Sequence, residues 1–279
     1  PNDLNQAVYW TLKSVDELNV ISMYQLSLIY DELGDNEQTV HWTRLSAEGG
    51  FIYSIYNLGL IYRYGRYGMT TDISQAEFWF RKAAEEGFAE AQYELAGIFI
   101  DREDNEQAIY WLRQAAENGF GNAQAFLAHY YETSQLGLKE DLEQATYWYH
   151  QAIESGVDNM YAQIRIGFKY VRGELEFEQD FKKAVYWFQL SADQGYELAQ
   201  YNLAVMYFYG KGVPQDKEKG MFYLKQAAEQ GYATAQTLLG YCYSLGNGTN
   251  RDKKKAKYWM QKAAEQGNET AIKWLQDHK

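Results

Sequence analysis

This sequence of 279 residues is poor in cysteine, which excludes one way of holding a fold together. Cys242 is its single cysteine. One thiol cannot form an intramolecular disulfide, so the fold does not depend on oxidation. The cysteine content therefore agrees with the cytosol and leaves the periplasm open.

Proline and long apolar runs are scarce as well. The two prolines favour helices, because helix interiors exclude proline. No apolar run reaches the roughly 18 residues of a membrane-spanning helix, and no segment has the layout of a signal peptide. We predict no membrane insertion. The sequence begins at Pro1 rather than Met, so we expect that a leader was removed or lies outside it.

Positive charge is also in short supply. The chain has 26 Lys and Arg against 38 Asp and Glu, which gives a net charge of -12. Nonspecific binding to nucleic acid or to anionic membranes requires basic patches. The composition therefore argues against both classes of partner.

Side chains typical of catalytic and metal sites are few. The four histidines are scattered. His129 with Glu132, and His150 with Glu154, lie one helical turn apart and could ligate zinc, but surface pairing is the simpler interpretation. The motifs HExxH and GxSxG and a phosphate-binding glycine loop do not occur. We predict no enzymatic activity, no catalytic residue, no metal site and no cofactor.

What the chain does contain is a recurring segment, AKYWMQKAAEQG at 256–267. Edited copies end at Gly50, Gly87, Gly119, Gly156, Gly195 and Gly231, and a worn copy occupies 7–18. Successive closing glycines are 37, 32, 37, 39, 36 and 36 residues apart. A period of this size predicts a repeat array in which each unit packs mainly against its neighbours.

Each repeat has two helical halves. The first half places an aliphatic, a small and an aromatic residue as in Leu203, Ala204 and Tyr207, and this spacing is helical. We predict that the small residue lets the second helix approach closely. The second half reads A-x-x-W-x-x-x-A, and its large aromatic residues are predicted to wedge between helices: Trp10, Trp42, Trp79, Trp111, Trp148, Trp187, Tyr223 and Trp259.

Local signals predict where the helices end. Asp216 and Asp252 are expected N-caps, and a closing glycine such as Gly267 is the expected left-handed stop. An acid stands two residues before the closing position in every copy: Asp16, Glu48, Glu85, Glu117, Glu154, Asp193, Glu229 and Glu265. Because negative charge in a last turn opposes the helix dipole, we hypothesise that each acid leans onto the first backbone N–H groups of the next helix.

The full pattern A-x-A-Q-Y-x-L-G-x-x-Y-x-x-G-x-G-V-x-x-D-x-x-K-A-x-x-W-x-x-K-A-A-E-Q-G resembles the Sel1-like repeat, an α/α relative of the tetratricopeptide repeat. The resemblance implies an all-α fold, a right-handed α/α superhelical solenoid that forms one domain over 1–279. Its parts are a half repeat at 3–18, repeats at 19–50, 51–87, 88–119, 120–156, 157–195, 196–231 and 232–267, and a C-terminal capping helix at 268–279.

The resemblance also carries expectations about function. Family members are adaptor and scaffold proteins with unrelated partners, and bacterial members include host-interaction factors, signalling scaffolds and immunity proteins for secreted toxins. The resemblance implies a bacterial protein. We expect a soluble protein of the cytoplasm or the periplasm, and the sequence does not choose between the two. This chain lacks the cysteine pairs of the family's cysteine-rich branch, so the penicillin or lactam binding linked with that branch is not carried over.

One face of the first helices differs from an ordinary solvent face. With the aliphatic residue as position 7, positions 2, 5, 9 and 12 lie opposite the core at about 100° per residue. In related helical-repeat proteins that face lines the concave surface, where solenoids bind partners. The candidate partner-binding residues on it are Tyr24, Tyr53, Tyr56, Arg63, Tyr93, His129, Glu132, Tyr161, Phe168, Tyr201, Phe208 and Tyr241. Exposed aromatic residues are typical of interaction surfaces. The alternative is that position 5 packs between neighbouring first helices.

We therefore predict a non-enzymatic protein–protein interaction scaffold that binds a protein or extended peptide in its concave groove. One alternative is an immunity protein that neutralises a secreted toxin enzyme. Another is a small-molecule or carbohydrate receptor or enzyme, which would need a convergent polar pocket. A purely structural spacer is disfavoured by the aromatic face. At the ends, the half repeat leaves the Trp10 face without a partner helix, so either an upstream repeat is missing or this face is an interface. Trp274 and Gln276 suit a closing cap.

Overall fold

A computed structural model describes residues 2–14 and 19–278. Within these ranges the chain forms α-helices and one short 3-10 turn at Arg66–Gly68. The first helices of the repeats are α2 (Val20–Leu33), α4 (Ile52–Tyr64), α6 (Ala89–Asp101), α8 (Gly121–Thr133), α10 (Met160–Arg172), α12 (Glu197–Tyr209) and α14 (Ala233–Leu245). The second helices are α1 (Asn2–Ser14), α3 (Asn36–Glu48), α5 (Ile73–Glu85), α7 (Asn105–Glu117), α9 (Leu142–Ser155), α11 (Phe181–Asp193), α13 (Lys217–Glu229) and α15 (Lys253–Glu265). The last helix is α16 (Glu269–Asp277).

The chain divides into two compact units, Pro1–Gly156 (unit 1) and Val157–Lys279 (unit 2). Inside each unit, the first helix of a repeat packs against its second helix, and that second helix packs against the first helix of the next repeat. The predicted all-α solenoid of consecutive helix pairs is confirmed. Among the described residues, every helix is too short or too polar to cross a bilayer.

The small residue of each first helix admits a large side chain from the second helix. A Cβ atom built on Gly59 would lie 2.5 Å from the ring of Phe80, and one built on Gly167 would lie 2.5 Å from the ring of Phe188. Both phenylalanines are fully buried. The prediction of a close helix approach at this position is therefore confirmed.

Three of the predicted wedge residues are buried, and the one at the start of the chain is not. Trp79, Trp111 and Trp187 are buried in the core of their units. Trp10, on α1, is 64% exposed and is not enclosed between helices.

The predicted helix ends are confirmed. Asp216 accepts hydrogen bonds from the backbone N–H groups of Glu218 and Lys219, and Asp252 accepts one from Lys255. The closing glycines adopt the left-handed region, as Gly267 does at φ 79°.

The hypothesis about the repeated acid is wrong. Glu48, Glu85, Glu117, Glu154, Asp193, Glu229 and Glu265 are exposed, and Asp16 lies outside the described residues. Glu117 accepts a hydrogen bond from Gln114 and Asp193 accepts one from Gln189, both on their own helices. The acids point to solvent because the closing glycine turns the chain away from them before the next helix begins.

A glutamine at position 4 of several first helices ties three chain segments together. Gln236 donates from Nε2 to the Ala228 carbonyl at 3.0 Å, and its Oε1 accepts from Gln266 Nε2 at 2.9 Å. Gln266 also donates to the Gly231 carbonyl. The same hydrogen bond to the position 4 Oε1 atom joins Asn118 to Gln92, Gln194 to Gln163 and Gln230 to Gln200.

Candidate functional site

The position 5 tyrosines on the predicted binding face mostly bridge neighbouring first helices. Tyr24, Tyr56, Tyr93 and Tyr201 are half-buried. Each contacts the aromatic residue that opens the next first helix, with ring centroids 5.1 to 5.5 Å apart: Tyr24 with Phe51, Tyr56 with Phe88, Tyr93 with Phe120 and Tyr201 with Tyr232. These contacts agree with the alternative interpretation of position 5, in which the residue packs between neighbouring first helices.

The partners of these tyrosines were not predicted from the sequence. Each stands at the N-cap of a first helix and makes no side-chain capping hydrogen bond, as at Phe51, Phe88 and Tyr232. A signal for them exists, because an aromatic residue follows the closing glycine in five of the repeats. The aromatic residue that follows the glycine turn therefore packs against the preceding first helix.

Two position 2 tyrosines extend the same ladder toward solvent. Tyr53 is 51% exposed, and its ring lies 5.5 Å from Phe51 and 5.5 Å from Phe88. Tyr161 is 45% exposed and meets Tyr196 edge to face at 4.9 Å. These rings are exposed and yet held by packing.

The remaining candidates lie in different surroundings. Phe168 is half-buried between Phe188, at 5.3 Å, and the Arg172 guanidinium. Tyr241 packs beside the apolar cluster of α15 and α16. His129 contacts the neighbouring Tyr130 ring, and Glu132 accepts a hydrogen bond from the Tyr149 hydroxyl at 3.2 Å.

The expectation of an exposed Phe208 is wrong. Its side chain is 6% exposed and belongs to the core of unit 2. Cβ atoms built on Gly220 and Gly248 would lie 3.1 and 3.2 Å from its ring. These two glycines leave the space that the ring occupies, so Phe208 is a core residue here.

In unit 1, three first helices and Leu112 of α7 line an open cavity of about 210 Å³ on the predicted binding face. We call it the Glu94 cavity. It is lined by Arg63 and Tyr64 of α4, by Tyr93, Glu94, Ala96, Gly97 and Ile100 of α6, by Leu112 of α7, and by Phe126 and Tyr130 of α8. Two predicted candidates, Arg63 and Tyr93, therefore meet at one site. Glu94 was missed because it stands at position 6, outside the predicted face.

The two charged residues that line the cavity, Arg63 and Glu94, have different partners. Arg63 Nη2 pairs with Asp101 Oδ2 at 2.6 Å, and the Tyr64 hydroxyl donates to Glu94 Oε2 at 3.2 Å. Burial raises the pKa of the Glu94 carboxyl above its usual range, although Tyr64, Arg63 and Arg66 favour the ionised form. Burial also raises the pKa of Tyr56, and nearby Glu94 and Glu90 add to that shift. The site holds a desolvated carboxylate beside aromatic walls.

Gly97 keeps one wall of the cavity open. It lies inside α6, where glycine costs roughly 0.5–1 kcal/mol relative to alanine. A Cβ atom at this position would meet only the Arg63 Nη2 atom, at 3.7 Å, which is an ordinary contact. Helix packing therefore does not require a glycine here, in contrast to Gly59.

A second row of exposed aromatic residues lies on the second helices. Each precedes the large aromatic residue of its helix and meets it edge to face, as Tyr110 meets Trp111 at 5.0 Å. The row comprises Tyr9, Phe78, Tyr110 and Tyr147 in unit 1 and Tyr186, Phe222 and Tyr258 in unit 2, each at least half exposed. This second-helix face is the natural comparison surface for binding experiments.

Formal charge separates along the chain. Residues 1–156 contain 9 Lys and Arg and 24 Asp and Glu, a net charge of −15. Residues 157–279 contain 17 and 14, a net charge of +3. The Glu94 cavity lies in the strongly acidic part.

Within the described residues, no three His, Cys, Asp or Glu side chains converge in a way that could hold a metal ion. The single thiol is buried on α14, and burial raises the pKa of Cys242 to about 11. At neutral pH it is therefore a neutral thiol, which is a poor nucleophile.

A family model described as the Sel1 repeat matches residues 20–51, 52–88, 89–120, 121–157, 161–196, 198–232 and 233–268. Each match begins one to four residues after the corresponding repeat predicted from the glycine spacing. No curated protein matches the chain.

Solved structures with the same architecture include a protective antigen present in uropathogenic Escherichia coli strains, which displays an SLR fold. It is 32% identical with a TM-score of 0.73, and the match covers 96% of this chain and 58% of that one. This chain thus spans little more than half of the antigen's length. A Sel1 repeat protein from Oxalobacter formigenes is 28% identical with a TM-score of 0.58, over 99% of this chain and 90% of that one. Immunity proteins from Pseudomonas aeruginosa match at 17% identity and TM-scores of 0.33 and 0.42.

Proposed function

This chain belongs to the Sel1 repeat family, whose members generally mediate protein–protein interaction, and we propose that it binds an extended peptide segment of a partner protein along the first helices of unit 1. The binding surface runs from Tyr53 to the Glu94 cavity. The Sel1 repeat fold is typically a non-catalytic scaffold, and we propose a non-enzymatic role for this chain too.

The observation that carries the proposal is the packed row of rings on this face. Tyr24, Phe51, Tyr53, Phe88 and Tyr56 contact one another in sequence, with centroid distances between 5.1 and 6.4 Å. Rings that are already fixed by their neighbours lose little side-chain entropy when a partner binds. Large aromatic residues also supply most of the binding energy at protein interfaces.

An extended peptide suits this surface better than a small molecule does. Small-molecule sites enclose most of their ligand in a cavity of roughly 300–1,000 Å³, and the Glu94 cavity is smaller, at about 210 Å³. It has room for one side chain of a longer ligand. The rest of the ligand would lie on the open aromatic row.

The test is selection of a random dodecapeptide phage library on the immobilised full chain, followed by affinity measurement of an enriched peptide. Tyr53→Ala removes a ring from the proposed surface, and Tyr110→Ala is its matched control on the second-helix face, since both side chains are 51% exposed. We expect Tyr53→Ala to weaken binding at least tenfold and Tyr110→Ala to change it less than twofold. The reverse pattern would transfer the site to the second helices, and a library without enrichment would contradict peptide binding.

A further inference from the structure

We infer that the Glu94 cavity receives one lysine or arginine side chain of the bound peptide. This inference rests on the proposed function and adds the chemistry of the partner. Three observations support it: the residues that line the cavity, the hydrogen bonding of the Glu94 carboxylate, and the net negative charge of residues 1–156.

The size and walls of the cavity fit a long side chain with an apolar stem. At about 210 Å³ the cavity is below the roughly 300–1,000 Å³ of small-molecule sites, which leaves space for a single side chain. Tyr93, Phe126, Tyr130 and Ile100 supply aromatic and aliphatic surface. Lysine and arginine bury their methylene stems along such surface, and their cationic heads are attracted to aromatic faces.

The polar end of the cavity requires a cation more than a neutral group. The Tyr64 hydroxyl donates to Glu94 Oε2, and no other hydrogen bond from the described residues reaches that carboxylate. The Arg63 guanidinium, which also lines the cavity, pairs with Asp101 at 2.6 Å. A partly buried carboxylate with one donor gains a strong charge-assisted bond when an ammonium or guanidinium arrives.

Other ligand groups fit this end poorly. An aliphatic side chain would remove the remaining water from Glu94 and would donate no hydrogen bond to its carboxylate in return. A carboxylate would face the like charge of Glu94, and Arg63, the one cation among the described residues that line the cavity, is already paired with Asp101. The net charge of −15 over residues 1–156 attracts a basic partner and repels an acidic one.

The first test compares the sequences that the dodecapeptide library yields on two proteins. On the wild-type chain we expect enriched peptides to share a lysine or arginine at one fixed position beside aromatic or aliphatic residues. On Glu94→Gln we expect the same library to enrich peptides without that basic position. Gln keeps the shape of Glu and relieves the cost of burying a charge, so the variant folds.

The second test is a double-mutant cycle with one enriched peptide and its counterpart that carries norleucine in place of the basic residue. Glu94→Gln and the norleucine replacement should each weaken binding about tenfold or more, and the combination should lose little beyond either change alone. Glu117→Gln removes an equal charge from the exposed surface of α7 and should change affinity less than twofold.

The outcomes separate this inference from the function it rests on. Enriched peptides that depend on Tyr53 but show no basic position, or losses in the cycle that simply add, would overturn the cavity assignment and leave peptide binding intact. Equal losses for Glu94→Gln and Glu117→Gln would reduce the effect to overall charge and also overturn the assignment. Binding that is independent of Tyr53 would remove the proposed function itself.

Discussion

At the scale of single residues, two glycines inside first helices have opposite surroundings. A Cβ atom at Gly59 would penetrate the ring of Phe80, with its nearest atoms at 2.5 Å. A Cβ atom at Gly97 would meet Arg63 Nη2 at 3.7 Å and otherwise open space. The same residue type therefore serves packing on α4 and leaves a wall open on α6.

We predict that Gly97→Ala raises the free energy of unfolding by roughly 0.5–1 kcal/mol, because alanine restricts the unfolded chain and favours the helix. The same variant should weaken binding of the selected peptide, since the new methyl group narrows the cavity. Urea denaturation and peptide affinity measure the two effects separately.

Gly59→Ala is the matched control for this substitution. It should lower the free energy of unfolding by about 1–3 kcal/mol, because the Phe80 ring cannot move away in a packed core. If Gly97→Ala is as destabilising as Gly59→Ala, then Gly97 has a packing role after all.

At the scale of helices, one repeat lacks half of the glutamine arrangement that joins its neighbours. Gln124 donates to the Ala116 carbonyl at 2.9 Å, but its buried Oε1 atom has no hydrogen-bond donor. In the four other repeats with a glutamine at position 4, that donor is the glutamine or asparagine directly before the closing glycine. Here the position holds Ser155. The serine side chain is too short to span the distance that Gln230 or Gln266 spans.

Ser155→Gln should therefore stabilise unit 1. The new amide can donate to Gln124 Oε1 and to the Gly119 carbonyl, as Gln230 does to Gln200 Oε1 and the Gly195 carbonyl. A net gain of about 1 kcal/mol is expected, because a buried unsatisfied acceptor costs roughly 1–3 kcal/mol. The gain should appear as a higher midpoint in thermal or urea unfolding.

The reciprocal change, Gln230→Ser, provides the control in unit 2. It should reproduce the vacancy and lower the free energy of unfolding by about 1–2 kcal/mol. Should Ser155→Gln leave unfolding unchanged while Gln230→Ser destabilises, the local geometry of α9 and not the length of the side chain would explain the missing bond.

At the scale of the whole molecule, the division of charge is the property most relevant to partners. A net charge of −12 conceals −15 in residues 1–156 and +3 in residues 157–279. The electrostatic potential of these charges extends over a Debye length of about 8 Å at physiological ionic strength. They raise association rates for partners of opposite charge.

We predict that added salt slows the association of a basic peptide with the chain much more than it changes dissociation. Long-range steering is screened by salt, whereas the contact between a cation and Glu94 is partly buried. Stopped-flow kinetics between 50 and 300 mM NaCl would show this as a falling association rate at a nearly constant dissociation rate. An association rate that is independent of salt would rule out steering by unit 1.

Much of the architecture follows from the sequence alone. The spacing of closing glycines, the small position of each first helix and the aspartates before the second helices were predicted, and the structure confirms them. These features depend on interactions within one helix pair, where a period of about 3.6 residues per turn and the chemistry of turns decide the outcome. Glycine at a left-handed position and aspartate at an N-cap act over a few residues only.

The candidate site was only partly accessible in this way, because it depends on distances between helices of different repeats. Helical periodicity placed Tyr93 and Arg63 on one face. It could not show that Tyr93 contacts Phe120 or that the repeated acids point to solvent. It also could not show that Phe208 fills the space left by Gly220 and Gly248. Periodicity also could not predict the hydrogen bond between Tyr64 and Glu94, which are thirty residues apart in the sequence. The sequence determined the repeats, the helices and their ends through local periodicity and turn chemistry. The tertiary structure decided which aromatic rings are packed, which stay exposed and where the cavity opens, because the space between neighbouring repeats is set by the packing of side chains that come from both of them.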